Sequence, residues 1–189
     1  MEIFDYYTIP KLMQEHGRFC LWKLVMKPGK TKPDKIPYQL NGKRADATNP
    51  QHYSSFYETM EIFAKGGYTG IGIGYFEPLR IVNVDNFIDN GKLDARGLDI
   101  VNSLDSYTEL STSGNGIHIF ILAEEFACDS EHYYINNRNT HAGIYSPDVT
   151  GKLLTLTGNA IHGADFNEQS EHFDRFIDEV MSANIHRSL

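Results

Sequence analysis

Two short apolar segments that carry polar side chains constrain this chain most strongly. Residues 81–85 read Ile-Val-Asn-Val-Asp, and residues 116–120 read Gly-Ile-His-Ile-Phe. Runs rich in β-branched residues favour buried strands, and alternate residues of a strand share one face, so Asn83 and Asp85 are predicted to point the same way. Because a buried strand tolerates polar groups only where they have partners, the two segments predict a polar site on one face of a sheet.

A turn rich in serine and glycine precedes the second segment. Residues 111–116 read Ser-Thr-Ser-Gly-Asn-Gly, in which the glycines permit close backbone approach and the amides and hydroxyls suit an anion. Asp85, this turn and His118 supply a carboxylate, an anion-binding turn and an imidazole, which are parts of a nucleotide and metal site. A buried histidine with only a structural hydrogen bond is the alternative that the sequence leaves open.

The chain has the size and composition of a globular protein. Its 189 residues are 41% hydrophobic, enough to bury a sizeable core. Since no apolar run approaches the roughly 18 residues that span a bilayer and the first residues lack the pattern of a signal peptide, we expect a cytoplasmic protein with no membrane partner. In that compartment Cys20 and Cys128 are expected to be reduced thiols.

Charge is distributed unevenly along the chain. The net charge of −8 argues against a uniformly basic protein that coats nucleic acid. Residues 1–50 nevertheless hold nine Lys and Arg against five Asp and Glu, whereas residues 51–189 hold eight against twenty. The basic segment 27–44 could therefore meet phosphates while the remainder stays acidic, although a solvated lysine-rich loop fits the same pattern.

Strands separated by helices predict one α/β or α+β domain over residues 1–189, which we assign to an α+β (α/β-like) fold with a mixed central sheet flanked by helices. The prolines around Ile36 favour an edge strand or an extended path there. Gly72 and Gly74 would bare one face of their strand to another backbone or to a ligand. Helices are expected near residues 10–17, 48–66, 94–104 and 165–181. Strands are expected near residues 19–25, 36–38, 68–75, 81–89, 144–147 and 152–157, and around His118.

Several motifs, taken in chain order, resemble one family. They are Lys35-Ile36-Pro37-Tyr38, the glycine strand, V-x-V-D at residues 82–85, S-Y-T-E-x-S-x-S-G-x-G-x-H at residues 106–118 and L-T-L-T-G-N at residues 154–159. Together they resemble the primase-polymerase (prim-pol) domain of the archaeo-eukaryotic primase superfamily, especially the versions carried by phages, plasmids and other mobile elements. The resemblance covers about residues 19–163, its most specific part is the block at residues 106–118, and it implies a core like that of an RNA-recognition motif.

The resemblance also implies roles for particular residues. In that family a D-x-D strand motif holds divalent metal ions, and the histidine of the serine-glycine block contacts the incoming nucleotide. The resemblance thus implies Asp85 and His118 as catalytic residues, and Asp85, Asn83 and Asp148 as the candidates for a Mg²⁺ or Mn²⁺ site. The implied partners are nucleoside triphosphates, a single-stranded DNA template and a helicase or replication initiator. The implied nucleotide contacts are Ser111, Ser113, Gly114, Gly116, His118 and Lys35.

Three positions depart from the family pattern. Asn83 stands where the first aspartate is expected, Asn86 where a histidine is common, and Tyr145 or Ser146 where a third acid is expected. We interpret Asn83 as natural divergence rather than as an engineered change. An amide oxygen can bind a metal ion but brings no negative charge, so the departures weaken the case for two-metal chemistry.

Three functions are therefore open at this point. The first is a nucleotidyltransferase that makes or extends primers, with Asp85 assisted by a relocated acid such as Asp148 or Asp89. The second is an inactive relative that binds nucleotide, nucleic acid or a replication protein. The third is a structural domain with no nucleic-acid partner.

Overall fold

The computed structural model describes residues 4–74, 78–89, 92–123, 136–147, 152–163, 165 and 168–182. The chain divides into two compact units, which we call unit 1 (Met1–Gly74 and Gly151–Asn159) and unit 2 (Tyr75–Thr150 and Ala160–Leu189). Helices and antiparallel sheets both occur, so the predicted α+β class is confirmed. The single domain over residues 1–189 stays a prediction.

The described helices and strands follow the chain in this order. The helices are α1 Lys11–His16, α2 Phe56–Ala64, α3 Ala95–Leu104 and α4 Ser170–Phe176, the last continued by a π-helical turn over Ile177–Met181. The strands are β1 Arg18–Val25, β2 Asp34–Tyr38, β3 Gly70–Gly74, β4 Leu79–Asp85, β5 Ile88–Asp89, β6 Lys92–Leu93, β7 Thr108–Leu110, β8 Gly116–Leu122, β9 Asn136–Asn137, β10 Ala142–Tyr145, β11 Leu154–Thr155 and β12 Ala160–His162.

Unit 1 contains a four-stranded sheet in the order β11-β3-β1-β2. The predicted edge strand at Ile36 is confirmed, because β2 is the last strand of this sheet. Helix α2 packs its aromatic residues on the sheet, as the Phe56 and Phe19 rings lie 5.3 Å apart in an edge-on contact.

The helix predicted over residues 48–66 begins later than expected. A short 3-10 turn covers Pro50–His52, and α2 starts only at Phe56. The reason is a capping box: the Ser55 hydroxyl accepts from the Glu58 amide, and the Glu58 carboxylate accepts from the Ser55 amide. Because this box satisfies the first amides of the helix, Ser55 rather than Thr48 or Asn49 marks its start.

The glycines of β3 allow a neighbouring backbone to come close, as expected. A Cβ added at Gly72 would lie 2.6 Å from both the Leu154 carbonyl oxygen and the Leu153 Cδ1 atom. β11 supplies this neighbour, since Thr155 pairs with Gly72. The glycine pattern is therefore accounted for by strand packing.

Unit 2 contains a six-stranded sheet in the order β12-β7-β8-β4-β10-β9, and β5 and β6 form a separate ribbon. One face of the six-stranded sheet is apolar and packs against α3 and α4; its core includes Val82, Val84, Ile117, Ile119, Ile144, Ile100, Leu104 and Phe173. This packing orients the sheet, because it assigns the opposite face to the polar side chains of β4 and β8.

The expected single mixed sheet is wrong in two respects. The described strands form two larger sheets instead of one, and every pair of strands in them is antiparallel. A parallel contact occurs only as an isolated bridge between Leu122 and Glu168 within the described residues. Antiparallel neighbours can be joined by tight turns, as β7 and β8 are, whereas parallel neighbours need a crossover.

Two further sequence expectations concern the cysteines and membranes. Cys20 is a free, buried thiol, and burial raises its pKa to about 12, so it is expected to be chemically inert in the folded chain. Cys128 lies outside the described residues. Within the part of the chain that the structure describes, no helix has the length and apolar character to cross a membrane.

Candidate functional site

The pairing of β4 with β8 brings the polar residues predicted from the sequence to one face. Asn83 pairs directly with His118, and Asp85 pairs with Gly116. Residues paired directly across antiparallel strands project to the same side, and Asn83 and Asp85 are two positions apart on β4. All three polar side chains therefore lie on the face opposite the α3 and α4 core, as expected.

A third strand extends this set. Glu109 of β7 pairs with His118, so Glu109, His118 and Asn83 form a row across three adjacent strands. We call the side of the sheet that bears Asn83, Asp85, Glu109 and His118 the polar face. The next row is apolar and aromatic: Phe120 pairs with Ile81, which pairs with Tyr145. The polar groups therefore gather toward the Asp85 end of β4.

Asp85 and Asn83 are hydrogen-bonded to each other. The Asn83 amide nitrogen donates to Asp85 Oδ2 over 3.0 Å, and the Asp85 side chain is exposed. The pKa of Tyr145 is raised, mainly by burial and to a smaller extent by the negative charge of Asp85. An aspartate at position 83 would repel Asp85 unless a cation lay between the two carboxylates. The Asn83 amide instead stabilises the negative charge of Asp85 directly, through this hydrogen bond.

The end of β4 is fixed by an unusual backbone arrangement. The Asp85 amide donates to the His141 carbonyl and the Asn86 amide to the Asn115 carbonyl, both over 2.9 Å. Asn86 and His141 adopt left-handed conformations, with φ of 63° and 55°, and such residues cost about 1–3 kcal/mol each and cluster at functional sites. The side-chain nitrogen Nδ2 of Asn86 lies 3.5 Å from His141 Nδ1. An imidazole therefore stands beside the position where the prim-pol family that the motifs resemble often has histidine.

The serine-glycine turn closes the β7–β8 hairpin beside Asp85. The Ser111 amide donates to the Gly116 carbonyl over 2.8 Å, and the Gly114 amide donates to the Ser111 carbonyl over 2.9 Å. The Ser111 and Ser113 hydroxyls lie 3.0 Å apart, and Ser113 is exposed. Two amides expected to bind an anion are thus engaged within the turn, so its hydroxyls are the groups better placed for a ligand.

Gly116 is required where it stands, because Asp85 crosses close to it. A Cβ added at Gly116 would lie 2.6 Å from the Val84 carbonyl oxygen and 2.9 Å from Asp85 Oδ1. Gly116→Ala is therefore expected to displace the Asp85 carboxylate and to lower the free energy of unfolding by about 1–3 kcal/mol, the usual effect of overpacking. Urea unfolding measures the stability, and titration with a nucleotide ligand measures the site.

Gly66→Ala is the matched control for that substitution. Gly66 has a φ of 86° with no atom within 4 Å of an added Cβ, so alanine there strains the backbone by about 1–2 kcal/mol without touching Asp85. If the two variants lost ligand affinity equally, displacement of Asp85 would not be the cause.

His118 lies beside a buried acid that the sequence interpretation missed. The His118 side chain is only 7% exposed and that of Glu109 is fully buried, with 3.6 Å between His118 Nδ1 and Glu109 Oε1. The Tyr107 hydroxyl donates to Glu109 Oε2 over 3.3 Å. The surroundings of His118 are therefore polar rather than an apolar interior. Glu109 was overlooked because a single acid in a short strand gives no local sign of burial.

The remaining predicted metal ligands do not complete a site. Asp148 lies outside the described residues, and Asp89 belongs to the separate β5–β6 ribbon because β4 ends at Asp85. Among the described residues no three His, Cys, Asp or Glu side chains are grouped so that they could hold a metal ion. Tyr145 faces the polar side in place of a third acid and brings no carboxylate. The described residues therefore do not fit a resident two-metal centre.

Lys35 and the basic loop belong to unit 1. The Lys35 ammonium group donates to Thr155 Oγ1 over 3.1 Å and lies 5.6 Å from the centre of the Trp22 ring. Lys27 and Lys30 both pair with Asp34, over 2.6 and 2.5 Å, and these contacts lower the pKa of Asp34. Part of the positive charge expected to meet phosphates is thus engaged locally, and the role of Lys35 as a nucleotide contact stays a prediction.

The chain is similar over most of its length to a phage protein. No protein-family model matches the chain. The DNA primase-polymerase of Nitratiruptor phage NrS-1 is 26% identical to it over 162 residues, which cover 82% of the chain. The chain spans 21% of that relative's length.

Proposed function

We propose that this chain is a primase-polymerase-like domain that binds a nucleoside triphosphate on the polar face of unit 2. The observation that carries the proposal is the pairing of Asn83 with His118, which brings His118 and Asp85 to the same face of adjacent strands. In this assignment His118 contacts the phosphates through its imidazole, and the Ser111 and Ser113 hydroxyls assist it.

The charges of the polar face favour a triphosphate that already carries its divalent cation. Asp85 and Glu109 would repel a bare triphosphate, since the polar face carries two carboxylates and one imidazole. Mg²⁺ is commonly bound through one or two carboxylates together with substrate phosphates. We therefore propose the Mg²⁺-nucleotide complex as the ligand, with Asp85 as the carboxylate that contacts its cation.

Single-stranded DNA is the second proposed ligand, as a template. Unit 1 offers a cation between aromatic rings, a combination that suits single strands: the Lys23 ammonium group lies 4.4 Å from the centre of the Tyr68 ring and 5.3 Å from that of Tyr38. Contacts between lysines and phosphates release counterions, so the affinity for single-stranded DNA should fall steeply as salt rises. Affinity that did not change with salt would exclude this assignment.

Primer synthesis or extension is a second candidate function, favoured by the similarity over most of the chain to a DNA primase-polymerase. In that reaction a 3′-hydroxyl attacks the α-phosphorus in line, and positioning and charge stabilisation supply the catalysis. Phage, plasmid or other mobile-element replication is the proposed setting, with a helicase or initiator as partner. Among the described residues, Asp85 is the acid that would bind the cation in this reaction. If the chain does not catalyse the reaction, it would act as a module that binds nucleotide, nucleic acid or a replication protein.

Two measurements on the same preparation separate these functions. Calorimetric titration with dATP, with and without Mg²⁺, tests binding, and a primer-extension assay with Mn²⁺ tests chemistry. Binding that needs the cation and is weakened but still measurable in His118→Ala supports the proposed ligand; extension that disappears in Asp85→Ala adds the catalytic function. No heat from the wild-type chain under any of these conditions would contradict the proposal. His172→Ala is the control, because His172 is exposed on α4, the helix that packs on the other face of the sheet.

A further inference from the structure

Glu109 is a buried acid that makes none of the proposed contacts with the ligand. Its side chain is fully buried, and acidic side chains are almost never fully buried unless they are paired. Its carboxylate receives the Tyr107 hydroxyl over 3.3 Å and lies 3.6 Å from His118 Nδ1. Both contacts come from side chains of the polar face and its margin, which points to a role in the site.

His118 is held between two polar neighbours in its cross-strand row. Glu109 flanks it on β7 and Asn83 on β4. Its Nδ1 atom is buried and has no hydrogen-bond partner among the described residues, and Glu109 Oε1 lies just beyond hydrogen-bonding distance. Because the two ring nitrogens lie on different sides of the imidazole, contact through Nδ1 leaves Nε2 for a ligand.

We propose that Glu109 is a positioning residue: its carboxylate holds a proton on His118 Nδ1 and orients the ring, so that Nε2 can carry a second proton and donate it to a phosphate oxygen of the bound nucleotide. A carboxylate beside Nδ1 attracts that proton and fixes the ring orientation, as carboxylates do behind functional histidines. The gap of 3.6 Å closes when the nucleotide binds, since such hydrogen bonds are often long before the ligand arrives. This inference rests on the proposed function.

Tyr107 supports the negative charge of Glu109. The pKa of Tyr107 is raised, mainly by burial and to a smaller extent by the charge of Glu109. The Tyr107 hydroxyl therefore stays protonated and donates to the Glu109 carboxylate. The result is a chain of contacts from Tyr107, just before β7, through Glu109 on β7 to His118 on the neighbouring strand β8.

The first test reads the His118 ring without any nucleotide. Nitrogen-15 NMR of the imidazole distinguishes the two neutral tautomers, and the wild-type chain should show the proton on Nδ1. Glu109→Gln should shift the ring toward the Nε2-protonated tautomer, and Tyr107→Phe, which keeps the aromatic ring, should shift it less in the same direction. An unchanged tautomer in Glu109→Gln would overturn the proposal. If Glu109→Gln does not fold, the tautomer in Tyr107→Phe decides whether Glu109 controls the His118 ring.

Thr108→Val is the matched control for loss of a buried polar group. Thr108 is fully buried on β7 next to Glu109, but it pairs with Ile119 and so faces the apolar core. The substitution should lower the melting temperature and leave the His118 tautomer unchanged. A control variant that moved the tautomer as far as Glu109→Gln does would assign the effect to general disruption of β7.

The second test is a double-mutant cycle on affinity for Mg²⁺-dATP. Glu109→Gln should weaken binding about tenfold in the wild-type background and have almost no effect in a His118→Ala background. Equal losses in both backgrounds would show that Glu109 does not act through His118. If the wild-type chain bound no nucleotide, the proposed function would fail while the tautomer measurement still decided the role of Glu109.

Discussion

Replacing Asp85 by alanine is expected to weaken binding of Mg²⁺-dATP about 10- to 100-fold. Asp85 is the exposed carboxylate of the polar face, and the amide of Asn83 already stabilises its charge. Hydrogen bonds and contacts to charged groups contribute about 1.5–3 kcal/mol, and each 1.4 kcal/mol changes affinity about tenfold. Calorimetric titration measures the loss, and any primer extension by the wild-type chain should disappear with it.

The control for Asp85→Ala is Asp99→Ala. Asp99 is exposed on α3, which packs against the opposite face of the sheet, so its loss changes the net charge equally without altering the polar face. Similar weakening in both variants would mean that Asp85 acts only through net charge, and the proposed cation contact would be wrong.

Placing an aspartate at position 83, as in the prim-pol family that the motifs resemble, should create a site for a free divalent cation. In Asn83→Asp the donated hydrogen bond to Asp85 is lost, and two carboxylates face each other on one strand. Without a cation their repulsion should lower the free energy of unfolding by about 1 kcal/mol or more. With Mn²⁺ the variant should regain stability, because a ligand that binds only the folded state raises its melting temperature.

Electron paramagnetic resonance of Mn²⁺ measures this gain directly. The wild-type chain should bind Mn²⁺ weakly in the absence of nucleotide, and Asn83→Asp at least tenfold more tightly, since added carboxylate charge tightens such sites. Asn102→Asp, which places the same charge at an exposed position of α3, should bind no better than wild type. Tight Mn²⁺ binding by the wild-type chain would contradict the account of Asn83 as a neutral replacement.

The sequence was sufficient for the local features of the site. The alternation of Val82, Asn83, Val84 and Asp85 predicts which side chains share a face, and the structure confirms it through the core that holds both valines. The turn rich in serine and glycine is likewise found where the sequence predicts it, directly before the strand that carries His118. These features depend on residues close together in the chain, which periodicity and turn chemistry describe well.

The features that could not be predicted depend on long-range pairing or on burial. Nothing local indicates that β4 lies between β8 and β10, and this arrangement decides that Asn83 faces His118 and that Gly143 stands on its other side. Glu109 and His141 take part in the site for the same reason. The expectation of one mixed sheet failed because strand content alone does not indicate strand direction or the number of sheets.

The most direct test of the central claim is whether a metal-bound nucleotide comes close to His118. NMR spectra of the histidine rings during titration with Mn²⁺-dATP measure this, because the paramagnetic ion broadens nearby signals. The account predicts that the His118 signals broaden at lower concentrations than those of His172 on α4, and that this preference is lost in Asp85→Ala. Equal broadening of both histidines, or none at either, would contradict it.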